Sequence, residues 1–129
     1  MKKIVFIITV TLLFLVSCIN QKQEGVVVAD TATFEKNMKE QNAQLVDVRT
    51  PAEFSDGHLK EATNIDILQP NFKEKVSGLD KEKPVLVYCK MGGRSSKAAS
   101  ILKEMGFTTI IDLDGGYQAW QSADKEVVK

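Results

Sequence analysis

The stretch Cys89-Lys90-Met91-Gly92-Gly93-Arg94-Ser95 has the residue types of a loop built to hold a thiolate. A cysteine is nucleophilic as its anion, and the anion needs positive potential around it. Two adjacent glycines let the backbone curl so that successive N–H groups point inward as a nest. Lys90 and Arg94 bring full charges to the same few residues. A helix starting just beyond the loop adds the partial positive charge of its N-terminus. These features predict a lowered pKa for Cys89 and a nucleophilic role. A cysteine ending a buried strand otherwise serves as a small hydrophobe. The order strand, Cys, double Gly, Arg, helix separates the two readings.

The elements that must position this loop are legible on either side of it. Pro84-Val-Leu-Val-Tyr88 is a short apolar, β-branched run, as expected of a buried strand in a parallel sheet. From Ser95 to Met105, Ala98, Ile101, Leu102 and Met105 recur at helical spacing, and Gly106 is a suitable stop. Further strands are predicted at Val26 to Val28, Leu45 to Val48, Asn64 to Ile67 and Thr109 to Leu113. Helical segments are predicted from Thr33 to Gln41 with a cap near Asp30 or Thr31, from Pro51 to Phe54, and from Asn71 to Val76. Strands alternating with helices give an α/β domain with a parallel sheet. Ligands of such sheets bind beyond the carboxyl ends of the strands, where Cys89 is placed.

The remaining polar residues read mostly as structural. Asp47 and Arg49 end an apolar run, and an ion pair tying that strand end to a nearby loop is expected. Glu53 is expected to cap or pair locally. His58 is the single histidine of the chain; a Cys–His pair is conceivable, but a structural role is favoured. Tyr117 and Trp120 share one helical face and read as core or pocket wall. Lys90 lies inside the loop and is either a solvated lysine or a cation facing an anionic donor.

In order along the chain, Leu45-Val-Asp-Val-Arg49, Thr50-Pro-Ala-Glu-Phe54, Gly57-His-Leu59, Ala62-x-Asn64-Ile65, the Cys89 loop, Asp112-Leu-Asp-Gly-Gly116 and Tyr117-Gln-Ala-Trp120 form a series. The series resembles the rhodanese (thiosulfate sulfurtransferase-like) domain, from about Thr31 to about Gln121. The resemblance implies a three-layer α/β fold, a central parallel sheet flanked by helices. It also implies a persulfide on Cys89, cradled by the loop Lys90, Met91, Gly92, Gly93, Arg94 and Ser95. The implied partners are a small sulfur donor such as thiosulfate and an acceptor that is cyanide, a thiol or a protein cysteine. No cofactor is implied. The alternatives are a phosphatase or arsenate reductase on the same fold, a persulfide carrier or interaction module, and a redox sensor.

The N-terminus carries a different signal. Met1-Lys-Lys3 is followed by an uncharged, largely apolar run from Ile4 to Val16 and then Leu15-Val-Ser-Cys18. The apolar run is short for a membrane span and has the layout of a secretory signal. The small residue before Cys18 resembles the bacterial lipoprotein processing pattern, which implies cleavage before Cys18 and lipid on its sulfur. The expected organisation is a signal peptide over 1–17, a tether and first strand over 18–29, and a rhodanese domain over 30–125. The expected location is extracytoplasmic, anchored to a bacterial membrane on its periplasmic or cell-surface side, with the protein acting as a monomer.

Composition is consistent with one small domain. Residues 18–129 number 112 and carry a net charge of −2, enough chain for one core and with no basic bias toward nucleic acid. One histidine and two cysteines provide no typical zinc site, so no metal is expected. With Cys18 lipidated, Cys89 has no partner for a disulfide, which argues against a thioredoxin-like oxidoreductase.

Overall fold

The computed structural model describes residues 25–40 and 42–129. Cys18, the signal segment and most of the tether lie outside the described residues. Five strands, β1 (Val26–Ala29), β2 (Gln44–Asp47), β3 (Thr63–Asn64), β4 (Val85–Tyr88) and β5 (Ile110–Leu113), form one sheet in the order β1-β5-β4-β2-β3. Every pairing is parallel. The helices are α1 (Thr31–Met38), α2 (Pro51–Ser55), α3 (Phe72–Val76), α4 (Gly93–Glu104) and α5 (Gly116–Ser122).

β4 is central and buried at all four positions, which explains its unbroken apolar run. Its side chains alternate between two cores. Val85, Val87 and Cys89 pack with Ala98, Ala99 and Leu102 of α4 and Phe72 and Val76 of α3. Leu86 and Tyr88 pack on the opposite face with Phe34 of α1 and Trp120 of α5. The expected three layers are therefore present.

Element ends differ from the sequence reading by a few residues, for local reasons. α1 begins at Thr31 because the Asp30 side chain accepts from the Thr33 N–H at 2.8 Å. β3 is only two residues long, since Ile65 and Ile67 bond beyond it, to Asp47 O and Val48 O. The fold also extends past 30–125. β1 pairs along its length with β5, and Val128 bridges His58 in both directions at 2.9 Å.

Candidate active site

The loop begins where β4 ends. Cys89 is 1% exposed, and its Sγ accepts the Gly92 N–H at 3.0 Å. The Ser95 hydroxyl lies 3.4 Å from the same sulfur. Together with the N–H groups of Ser95 and Met91, these donors hold the thiol below its ordinary pKa, against the opposing effect of burial, which is the largest single influence. A thiolate in this position keeps the Gly92 amide hydrogen as its donor. Gly92 makes the curl possible, with φ at 121°, and caps α4 without any side chain. Gly93 has no positive φ and is already the first residue of the helix, so one glycine supplies the turn where two were expected.

The loop is fastened from outside as well. The Tyr117 N–H donates to Cys89 O at 2.8 Å and the Gln118 N–H to Lys90 O at 3.0 Å. The first free amides of α5 thus bind carbonyls of the Cys89 loop. Gly116 permits this approach. Its φ is +59°, and a Cβ there would stand 2.5 Å from Cys89 O and 2.7 Å from Lys90 O.

A rhodanese-like domain model matches residues 30–123, most of the chain. The chain belongs to the rhodanese-like domain family. Curated relatives include thiosulfate sulfurtransferase GlpE of Pseudomonas aeruginosa, 32% identical over 67% of this chain and 77% of the relative. Chloroplastic thiosulfate sulfurtransferase 16 of Arabidopsis thaliana is 41% identical over 58% of this chain and 71% of its own. Protein YqhL of Bacillus subtilis is 42% identical, over 60% of each chain. Among solved structures, a rhodanese-related protein from Thermoplasma volcanium superposes with a TM-score of 0.70 at 32% identity, covering 78% of this chain and 96% of the other.

Within this rhodanese domain, the sequence-predicted residues fall into three groups. Cys89, Met91, Gly92 and Ser95 come together around the sulfur. Lys90 and Met91 lie on the solvent side, where with Tyr117, Gln118 and Gln121 they line a cleft of about 430 Å³. Arg94 turns away to Glu53: Nη1 reaches Oε1 at 2.6 Å and Nη2 reaches Oε2 at 2.9 Å. Hydrogen bonds from backbone amides and the Ser95 hydroxyl lead among the influences that lower the thiol's pKa, while Arg94 pairs first with Glu53 and also interacts with the Cys89 charge.

Glu53 is not merely local. It completes a capping box with Thr50 at the start of α2 and also reaches Arg94, 41 residues along the chain. Arg94 holds the Glu53 carboxyl down at about 2. Asp47 and Arg49 form the expected buried pair at 2.6 Å, and Arg49 also donates to Gly57 O at 2.7 Å. The Arg49 guanidinium lies over the Tyr117 ring, 4.2 Å from its centroid. His58 stacks on Phe54 and holds Phe54 O at 3.0 Å through Nδ1, a structural arrangement. Trp120 is core. The α5 amides and Gly116 were missed as parts of the site, although the Gly115-Gly116 pair before an aromatic helix was the available signal. No group of metal-ligating side chains occurs among the described residues.

Proposed function

We propose that this domain moves sulfane sulfur from thiosulfate or a related donor to a thiophilic acceptor through a persulfide on Cys89. The observation that carries the reading is the Cys89 sulfur, set against the Gly92 amide at 3.0 Å with its pKa lowered by the loop's own donors. In the first step the thiolate attacks the outer sulfur of thiosulfate. The new S–S bond forms as the bond to the sulfonate breaks, sulfite leaves with the electron pair, and negative charge ends on the terminal persulfide sulfur. Inward amides and the α4 N-terminus stabilise that charge. In the second step cyanide or a thiolate attacks the terminal sulfur, and the Cys89 thiolate leaves. An already ionised nucleophile requires no general base in the first step.

Access favours sulfur over phosphorus. Cys89 is 1% exposed, so a donor must reach it end-on, as the single outer sulfur of thiosulfate can. A tetrahedral phosphoryl group would need several oxygens coordinated at once, and four residues between Cys89 and Arg94 make a small ring. Arg94 is also committed to Glu53. Lys90, on the rim of the cleft, is assigned to the sulfonate of the donor. The reading includes a monomeric domain held extracytoplasmically by lipid on Cys18.

Mass spectrometry of the protein before and after thiosulfate tests the assignment. A gain of about one sulfur atom on the Cys89 peptide, removed by reductant and absent in Cys89→Ser, is expected. Cys89-dependent hydrolysis of aryl phosphates with no persulfide would overturn it.

A further inference from the structure

Asp112 is a buried carboxylate that the mechanism above does not use. It lies on β5, is 4% exposed, and its Oδ1 has no hydrogen-bond partner among the described residues. Alternation along β5 puts it on the same sheet face as Ile110, hence on the face shared by Val87, Cys89 and α4. Val28 of β1 and Val87 of β4 stand beside it in register. From α4, the fully buried Ser95 faces it closely enough that its hydroxyl acts on the carboxyl. Asp114, just beyond the end of β5, is the charged group that acts on it from its own stretch of chain. On α4, Arg94 is bound to Glu53 and Lys97 is exposed.

Ser95 has a single proton to give and three acceptors within its surroundings. In this structure the hydroxyl donates to Gly92 O at 3.2 Å while Sγ–H of Cys89 donates to Ser95 Oγ at 3.4 Å. Once the thiol ionises, the second bond must reverse for Ser95 to stabilise the anion. The hydroxyl is then shared between the Cys89 thiolate and the Asp112 carboxylate, whose Oδ1 has no partner among the described residues. A buried carboxylate with an unpartnered oxygen gains more from one hydrogen bond than an exposed group would.

We propose that Asp112 is a positioning residue for the Cys89 thiolate, acting through Ser95: ionised Asp112 draws the hydroxyl proton away from sulfur, and protonated Asp112 leaves it to sulfur. Only hydrogen bonds change, and the proton taken up by Asp112 comes from solvent. Burial and Asp114 lift the Asp112 pKa to about 6, which puts the exchange in a mildly acidic range. The inference rests on the sulfur-transfer reading only in taking Cys89 as a thiolate.

Alkylation of the full-length protein by iodoacetamide, followed on the Cys89 peptide by mass against pH, tests this without any sulfur donor. In the wild type the rate should rise over a broadened range, because the two titrations are coupled. Asp112→Asn should give a single-proton profile shifted to lower pH, with alkylation about threefold to tenfold faster near pH 6.5. In a Ser95→Ala background the same change should alter the rate by about twofold or less. An unchanged profile in Asp112→Asn, or a full shift without Ser95, overturns the proposal. Should Asp112→Asn fail to fold, carboxyl NMR of Ser95→Ala decides: the Asp112 titration should move upward, and an unmoved titration overturns the proposal. Absent thiosulfate turnover with these shifts intact would refute only the sulfur-transfer reading.

Discussion

Arg94 and Glu53 meet in a two-point ion pair that joins the first turn of α4, behind Cys89, to the first turn of α2. Both side chains are a little over one-quarter exposed. The pair therefore sits between a surface contact of small worth and a buried one. Because Glu53 also caps α2, the pair couples the start of α2 to the start of α4.

Removing the pair should loosen the loop rather than discharge the thiolate. Arg94→Ala is expected to cost about 1 kcal/mol of stability, given partial solvent screening. The pKa of Cys89 alkylation should move by less than about half a unit. The Glu53 carboxyl drops from 4.5 to about 2 on folding, so its contribution is complete above pH 4.5 and is lost as the pH falls toward 2. Urea titrations in that window should show a steeper acid loss in the wild type than in Glu53→Gln. Equal slopes would show that the pair carries no stability.

Gly116→Ala should be more damaging than its size suggests. The added methyl would meet Cys89 O and Lys90 O, at a φ of +59° that favours glycine. A stability loss of about 2 kcal/mol is expected, with thiosulfate turnover reduced at least about tenfold as the loop is pushed off its amides. Thermal melting and initial rates check both, and a wild-type rate would contradict the role of α5 in shaping the loop.

Asp112 carries a stability cost at neutral pH. Its pKa rises from 3.8 to about 6 on folding, so the folded state holds the proton more tightly. The stability tied to that proton is present at low pH and lost as the pH rises through 6. Asp112→Asn should accordingly be more stable than the wild type at pH 7, by on the order of 2 kcal/mol, and the advantage should shrink toward pH 4. Urea unfolding at both values is the check. An advantage independent of pH would assign the gain to packing alone.

The anchor is tested separately from the chemistry. Expressed in a bacterium, the protein should enter the membrane fraction and take up labelled fatty acid. Cys18→Ala should abolish labelling while a persulfide still forms on Cys89. Equal labelling of the variant would remove the lipid from Cys18.

The geometry of the Cys89 loop was legible because its parts are contiguous. Strand, Cys89, Gly92 and helix follow one another within a few residues, so local chemistry and local geometry coincide. The parallel sheet was legible for a similar reason, since the β4 run is apolar at every position and both of its faces are covered. What sequence left open depends on which distant groups meet. Arg94 was read as a charge for the thiolate because nothing in the string brings Glu53 to it. Gly93 was read as part of the turn because two glycines look alike until their φ angles are known. The cap on α1 was anticipated because Asp30 needs only the amide three residues ahead.

The two bonds from α5 to the carbonyls of Cys89 and Lys90 also have a meaning in time. The cysteine is synthesised 27 residues before Gly116, and with it come β4, Gly92 and α4. A chain interrupted after β5 would possess the full sheet and Cys89 but not the clasp that holds the loop's first two carbonyls. The bonds that fix the carbonyls of Cys89 and Lys90 are therefore completed late, after the polypeptide has closed on itself. The setting of the Cys89 thiol thus depends on the last helix that the chain makes.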